Sequence, residues 1–189
     1  MAAIENQFER ILTERLLLRR PVNTDLDAVY EIHSDPATNK FNPAGPDPDR
    51  AVGKQRLQEW LDHWHQHGFG YWTVQPVEGE LIFGFCGVRH GSWLGRPVLN
   101  LYYRFDPATW GRGFATEAAR RAVRLATDDF PGVPVLARTK TGNISSQRTA
   151  LAAGLNRRAD LDRHDGTGHA VILVTDWPTA PQIPAPTST

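Results

Sequence analysis

Sulfur is scarce in this sequence, whose 189 residues include one cysteine and one methionine. Because Cys86 has no second cysteine to pair with, no disulfide can form within the chain, and nothing points to an oxidising compartment. No apolar run approaches the roughly 18 residues that a membrane-spanning helix needs. The N-terminal run MAAIENQFER is charged early and lacks the apolar region of a secretion signal. We therefore expect a cytoplasmic protein without a membrane partner.

An excess of either charge is also missing, because 21 Lys and Arg residues balance 21 Asp and Glu residues. Proteins that bind nucleic acid through its phosphates usually carry a basic excess, so we expect no direct nucleic-acid partner. The composition, 40% hydrophobic and 22% charged, is typical of a globular domain. We assign residues 13–177 to one domain, 1–12 to an N-terminal arm, and the Pro- and Thr-rich residues 178–189 to a disordered tail.

Hydrophobic periodicity predicts helices that alternate with strands. The helical patterns cover residues 23–35, 48–68, 115–130 and 143–155. The strand patterns cover residues 13–21, 71–77, 81–90, 97–107 and 132–140, with a hairpin over 156–177. Residues 35–48 are rich in Pro, Asn and Gly and predict a loop. Helices between strands indicate a mixed α/β fold whose sheet is mostly antiparallel, with at least one parallel pair.

The run GRGFATEA, residues 111–118, places two glycines directly before the clearest helical pattern. The start of a helix has unpaired N–H groups and a partial positive charge, so it favours anions. Gly111 and Gly113 lack Cβ and let a bulky anion approach, and Arg112 adds a cation. The motif alone fits a pyrophosphate cradle or an ordinary glycine turn. It matches neither the Walker loop nor the dinucleotide fingerprint, which need further glycines or a Lys.

Two separated runs, YYRFDPATWGRGFATEAARRAV and NISSQRTALAAGL, resemble the acetyl-coenzyme A binding core of the GNAT superfamily of N-acetyltransferases. The motif P-x-x-W-G-x-G-x-A-T-E-A is similar to that of the ribosomal-protein-alanine acetyltransferase branch. The resemblance covers about residues 13–177. It implies a GNAT-type α/β fold with helices on both faces of a mostly antiparallel sheet, which splays open after the fourth strand.

By this resemblance, acetyl-coenzyme A is the co-substrate and no metal is needed. The backbone N–H groups of residues 111–116 would hold the pyrophosphate, residues 103–105 would pair with the pantetheine amides, and Asn143 would contact the cofactor arm. The implied cofactor-binding residues are Tyr103, Arg104, Phe105, Gly111, Arg112, Gly113, Phe114, Ala115, Thr116 and Asn143.

The catalytic residues implied by the resemblance are Asn100 and Ser146. Many relatives carry a glutamate base where this chain has Asn100, which cannot accept the proton and would either position a water or orient its strand. Many relatives also carry a tyrosine where this chain has Ala150. Ser146 would instead donate to the leaving thiolate, or would serve as a helix-face or capping serine.

The resulting hypothesis is an acyltransferase that moves acetyl from acetyl-coenzyme A to a primary amine by direct attack. The acceptor would be a protein N-terminus or a small molecule, and a homodimer is left open. The missing glutamate and tyrosine favour an alternative: a catalytically silent module of the same fold that binds or senses acyl-coenzyme A. Nucleotide phosphotransfer is a weaker third hypothesis.

Other reactive side chains have simpler interpretations. Cys86 lies in an apolar run and is more typical of a buried thiol than of a nucleophile. His63 and His67, four residues apart on a predicted helix, would ligate a metal or line a solvated surface. Four aromatic residues would either wall the acceptor cleft or, as is more usual, belong to the core: Trp60, Trp64, Tyr71 and Trp72.

Overall fold

The computed structural model describes residues 7–164 and 168–178. The strands are β1 (Arg10–Leu12), β2 (Leu16–Arg19), β3 (Tyr71–Pro76), β4 (Gly84–Trp93), β5 (Arg96–Phe105), β6 (Val135–Lys140), β7 (Asn156–Arg157), β8 (Arg163–His164) and β9 (His169–Val174). The helices are α1 (Leu26–Ser34), α2 (Pro36–Asn39), α3 (Arg50–His67), α4 (Phe114–Asp129) and α5 (Ile144–Ala152).

All nine strands join one mixed sheet in the order β1-β2-β3-β4-β5-β6-β9-β7, with β8 also paired to β9. Every pairing is antiparallel except that of β5 with β6. The predicted α/β architecture, with a mostly antiparallel sheet and one parallel pair, is therefore confirmed.

Helices cover both faces of the sheet, as expected, because neighbouring residues of each strand point to opposite faces. Trp72 and Cys86 pack on the α4 side in the larger core cluster. Tyr71 and Phe85 pack on the other side, against α1 and α3. Trp60, Trp64, Tyr71 and Trp72 are all buried. These aromatic residues are core, and the interpretation of them as walls of an acceptor cleft is wrong.

The sheet opens between β5 and β6. Strand β5 pairs with β4 along all ten of its residues, but its register with β6 contains only Leu99–Val135 and Asn100–Leu136. Beyond Asn100 the two strands separate. The splay lies after the fifth strand rather than the fourth because β1 adds a strand at the start of the chain.

Several segments differ from the prediction. Residues 10–12, assigned to the arm, pair with β2. Residues 36–39, predicted as loop, form α2, because Asp35 accepts a hydrogen bond from the N–H of Ala37 and Pro36 suits a first helical turn. Residues 1–6 of the arm, 165–167 of the last hairpin and 179–189 of the tail lie outside the described residues.

Candidate acetyl-coenzyme A cleft

A cleft of about 600 Å³ lies where β5 and β6 separate. Segments from four parts of the chain line it: α2 and the residues after it, the end of β5, the turn leading into α4, and the start of α5. The lining residues are Ala37, Thr38, Lys40, Phe41, Tyr103, Arg104, Phe105, Thr109, Trp110, Gly111, Gly113, Phe114, Ala115, Thr116, Asn143, Ser145, Ser146 and Thr149. Of the residues that the sequence analysis assigned to the site, Arg112 and Asn100 are outside this lining.

The turn before α4 leaves its backbone donors open. Gly111 and Gly113 have φ values of 74° and 80°, which glycine adopts without strain. Gly113 is the N-cap and supplies no side-chain acceptor. The backbone N–H groups of residues 111–116 make no hydrogen bond to any described residue, and the first paired one is that of Glu117, which donates to the Gly113 carbonyl at 3.0 Å. The turn therefore presents a group of free donors at the positive end of a helix.

Arg15, from the loop between β1 and β2, holds this turn in place. Its Nη2 lies 2.6 Å from the Glu117 carboxylate, and its Nη1 donates to the Arg112 carbonyl at 2.9 Å. Its guanidinium also lies 4.8 Å from the centre of the buried Phe114 ring. Partial burial opposes ionisation of Glu117, but hydrogen bonds from Thr13 and Arg15 lower its pKa below the ordinary value. This anchoring was not predictable, because its partners are about a hundred positions apart.

The end of β5 offers an unpaired backbone edge to the cleft. The N–H of Leu99 donates to the Pro134 carbonyl at 2.8 Å, on the side of β6. Because hydrogen-bonding direction alternates along a strand, the backbone groups of Tyr103, four residues later, point to the same side. There β6 has separated, so the backbone edge of Tyr103 faces the cleft.

The start of α5 brings polar side chains to the opposite wall. Asn143 is the N-cap, and its Oδ1 accepts from the N–H of Ser146 at 3.2 Å and from Ser145 Oγ at 3.1 Å. The Tyr103 hydroxyl donates to the Ser146 carbonyl at 2.7 Å and lies 3.0 Å from Ser146 Oγ. Ser146 is therefore held from two directions at the edge of the cleft.

Asn100 lies on the other face of β5. Its Nδ2 donates to the Tyr71 hydroxyl at 2.9 Å, within the cluster that packs against α1 and α3. It is also the last residue of β5 that pairs with β6. Asn100 was expected either to position a water or to orient its strand. This geometry supports the second interpretation.

A family model described as an acetyltransferase (GNAT) domain matches residues 15–156.

The chain belongs to the GNAT acetyltransferase family.

Three similar proteins each match most of this chain, one by sequence and two by structure. YkkB of Bacillus subtilis strain 168 is 24% identical over 157 residues, which cover 80% of this chain and 87% of that protein. The acetyltransferase of Agrobacterium tumefaciens strain C58 superposes with a TM-score of 0.75 at 22% identity, covering 89% of this chain and 94% of that one. AAC(6')-Ib, solved with ribostamycin and coenzyme A, gives a TM-score of 0.68 at 19% identity, covering 86% and 93%.

The protein is therefore an acyltransferase, and acetyl-coenzyme A fits it as co-substrate. The fit is physical as well as familial, because the open turn before α4 is suited to a pyrophosphate and a Cβ built on Gly111 would meet no atom within 4 Å. When bound, this co-substrate supplies an activated acetyl thioester.

None of the helices in the described part of the chain combines the length and apolarity that crossing a bilayer requires.

The sequence analysis missed the wall of the GNAT cleft that α2 and the following residues build. Arg104 donates to Asn39 Oδ1 at 2.6 Å, which joins α2 to β5. Phe41 lies against the loop before α5, since a Cβ on Gly142 would be 3.3 Å from its ring. Lys40 and Phe41 come from a segment without periodicity, so no pattern placed them at the site.

A buried polar pair lies beneath this wall. The His33 Nδ1 lies 2.7 Å from the Val29 carbonyl, which can only accept, so Nδ1 carries the proton. The Tyr102 hydroxyl then donates to Nε2 at 2.7 Å. Burial, with Arg56 and Arg104 nearby, lowers the pKa of His33 to about 3. His33 is therefore a neutral imidazole with both nitrogens occupied, and it is not a free base.

The histidines of α3 join a third imidazole. The rings of His67 and His90 are 4.7 Å apart, but His63 uses Nδ1 toward the Phe69 carbonyl and Nε2 as acceptor from the N–H of His90. Within residues 7–164 and 168–178, no group of three or more His, Cys, Asp or Glu side chains is arranged to hold a metal ion. Cys86 is fully buried, and burial raises the pKa of its thiol, so it is a core residue.

Proposed function

We propose that this protein transfers the acetyl group of acetyl-coenzyme A to a primary amine that attacks the thioester directly. The observation that supports this most is the presence, in one cleft, of two sets of unused backbone groups. The N–H groups of residues 111–116 suit a pyrophosphate, and the open edge of β5 suits a chain that carries amides.

The pyrophosphate is assigned to residues 111–116. Their N–H groups have no other partner among the described residues, and the glycines leave room for phosphate oxygens. Ala115 and Thr116 line the cleft. Arg112 would act from outside the lining as a nearby cation, since its guanidinium stacks on Phe114 at 4.7 Å.

The pantetheine arm is assigned to residues 103–105 and Asn143. Tyr103 contributes its open backbone edge, and Arg104 and Phe105 continue the same wall. Asn143 uses Oδ1 to cap α5, which leaves Nδ2 as its donor to the cofactor arm. No described residue accepts a hydrogen bond from that nitrogen, so its assignment to the ligand conflicts with nothing in the fold.

The chemistry assigned to the side chains is limited. Ser146 would donate a hydrogen bond to the departing sulfur. Asn100 is an amide and cannot accept the proton of the amine, and its contact with Tyr71 supports a role in strand orientation. We therefore propose that the acceptor amine enters already deprotonated. The rate should then rise with pH until the free amine dominates.

The acceptor is assigned to amines with a single positive charge when protonated, with the N-terminus of a peptide first. Lys40 and Arg104 line the cleft, and their charges disfavour a polycation. The P-x-x-W-G-x-G-x-A-T-E-A motif also supports the ribosomal-protein-alanine acetyltransferase branch. AAC(6')-Ib, solved with the aminoglycoside ribostamycin, provides the contrasting acceptor class for the test.

The test measures release of free thiol from acetyl-coenzyme A with a panel of amines between about pH 6 and pH 9. We expect release to depend on the acceptor, to be faster with peptide α-amines than with aminoglycosides, and to rise with pH. Binding of coenzyme A without acceptor-dependent release at any pH would contradict the proposal. A thermal-shift comparison tests nucleotide phosphotransfer, which requires that ATP and Mg²⁺ stabilise the protein and that coenzyme A does not.

A further inference from the structure

The Tyr103 side chain has a role that its backbone assignment does not explain. Its phenol leaves β5 and reaches α5, where it meets both the carbonyl and the hydroxyl of Ser146. Because a carbonyl oxygen only accepts, the phenol proton lies on the Ser146 carbonyl, and the 3.0 Å contact is made by Ser146 Oγ–H donating to the phenol oxygen. Tyr103 therefore fixes the main chain of Ser146 and accepts a hydrogen bond from its hydroxyl group.

Ser146 is tied at a second point. Its N–H donates to Asn143 Oδ1 at 3.2 Å, so the backbone of the residue is held from both sides. The side chain keeps one freedom, which is rotation about χ1. Such a rotation moves the hydroxyl from Tyr103 to the cleft that both residues line, while the phenol stays on the carbonyl.

The phenol of Tyr103 is suited to act as a hydrogen-bond donor at every pH at which the enzyme would work. Burial raises the pKa of Tyr103 to about 12, against a smaller opposing effect of the Ser146 hydrogen bond. It therefore keeps its proton across the pH range in which an amine can react. Ala150, on the same helix, is fully buried and carries no donor. The hydroxyl groups on this side of the cleft are those of Tyr103, Ser145, Ser146 and Thr149, and Ser145 uses its proton on Asn143 Oδ1.

We propose that Tyr103 is a positioning residue for the leaving group: it holds Ser146 so that the serine hydroxyl can donate to the coenzyme A sulfur. The proposal depends on the acetyl-transfer function proposed above. The C–N bond forms, the C–S bond breaks, and its electron pair stays on sulfur, where the Ser146 hydroxyl donates a hydrogen bond to it. After the attack, the amine nitrogen loses one proton to water. The departing thiolate gains one proton from water, so the protons balance.

The test uses Tyr103→Phe, Ser146→Ala and the double variant. Tyr102→Phe is the matched control, because this phenol is one residue away but faces His33 on the other side of the sheet. Four quantities are measured for each: kcat for acetyl transfer, Kd for coenzyme A by calorimetry, the melting temperature, and the pKa of the thiol of bound coenzyme A from its thiolate absorbance.

We expect Tyr103→Phe to lower kcat about tenfold, because Ser146 is no longer held for its hydrogen bond to the developing charge, and such a bond is worth about tenfold or more. Kd for coenzyme A should stay within about twofold of wild type. The thiol pKa of bound coenzyme A should rise, because the thiolate loses a fixed donor. The double variant should be no slower than Ser146→Ala, since Tyr103 acts through Ser146. Tyr102→Phe should leave kcat and the thiol pKa unchanged.

Three results would overturn the inference: an unchanged kcat in Tyr103→Phe, additive losses in the double variant, or a fall in kcat with no change in the thiol pKa. A parallel loss of melting temperature and coenzyme A affinity would assign Tyr103 a structural role alone. If wild-type protein transfers no acetyl group to any amine, the proposed function fails instead, and the calorimetry and thiol titration still show whether Tyr103 acts on the sulfur.

Discussion

Two helices begin at the cleft, and they treat their first N–H groups in opposite ways. In α5 the side chain of Asn143 accepts from the N–H of Ser146, which is the usual solution at a helix start. In α4 the corresponding residue is Gly113, which has no side chain to offer. The start of α5 is capped by a side chain of the protein, whereas the start of α4 keeps its first N–H groups free of partners among the described residues.

The open start is maintained by contacts elsewhere on α4. An absent cap costs a helix about 1 kcal/mol. Helix α4 offsets this through burial of one apolar face and through the Arg15–Glu117 ion pair in its first turn. The buried residues of that face are Phe114, Ala118, Ala119, Ala122, Val123, Leu125 and Ala126. The contrast with α5 shows that a helix can keep its first N–H groups free when burial and an ion pair offset the missing cap.

The strongest way to break this contrast is to close the open start with Gly113→Asp. An aspartate there would supply the missing acceptor, occupy the donors and add a negative charge where we propose that the pyrophosphate binds. We expect Kd for coenzyme A to rise by about 100-fold or more, since at least two charge-assisted hydrogen bonds are lost. Isothermal titration calorimetry measures it.

The control for this variant is Gly132→Asp. Gly132 has a similar φ of 83°, and a Cβ there would meet no atom within 4 Å, so the backbone strain is matched at a site that does not line the cleft. It should lose stability but keep the wild-type Kd. Equal Kd values for the two variants would reject the assignment of residues 111–116.

The next effect concerns the support of the open start and is tested with Glu117→Gln. Removing the charge weakens the bonds to Thr13 and Arg15, and we expect a loss of about 2 kcal/mol at neutral pH. The folded pKa of Glu117 is lowered, so its stabilisation is present above the unfolded pKa of about 4.3 and is lost as pH falls through the folded pKa.

Thermal denaturation at several pH values checks this prediction. The difference in melting temperature between wild type and Glu117→Gln should be largest near pH 7 and should shrink below about pH 4. A difference that stays constant with pH would show that the carboxylate charge does not support the turn.

The smallest effect is expected at the closed start, with Asn143→Ala. Loss of the cap should cost about 1 kcal/mol and lower the melting temperature by about 2–4 °C. Asn143→Asp keeps an acceptor for the Ser146 N–H and should retain the stability. It also removes Nδ2, so it should still weaken coenzyme A binding. Wild-type stability of Asn143→Ala would mean that α5 does not depend on its cap.

Much of the fold was predictable from local signals. The pattern over residues 48–68 predicted α3, which begins at Arg50 because Asp49 caps its first N–H groups and ends before Gly68, whose φ is 74°. The open turn before α4 was predictable because Gly111 and Gly113 can be read directly from the sequence. The opening of the sheet was expected only through the family resemblance. It lies after the strand that the sequence placed at 97–107, which is numbered β5 because residues 10–12 form an additional strand that pairs with β2.

The parts of the site that were missed depend on distance in the sequence. Arg15 and Glu117, Tyr103 and Ser146, and Arg104 and Asn39 are joined by side chains from separate elements. No periodicity records such pairs, because each partner satisfies its own local pattern without the other. Asn100 was considered as a catalytic residue because the sequence does not show which face of β5 it occupies. The sheet sets that face, and Asn100 contacts Tyr71 on the side of α1 and α3.

The sequence by itself determined that this chain folds as a mixed α/β domain and that one helix start is left uncapped, because propensity, capping and missing Cβ atoms act within a few residues. Tertiary structure alone decided which groups surround that start. The separation of β6 from β5 opens the backbone edge of Tyr103, and the packing of α5 on the same side brings Ser146 to its phenol. Both depend on contacts between distant elements, which no local pattern encodes.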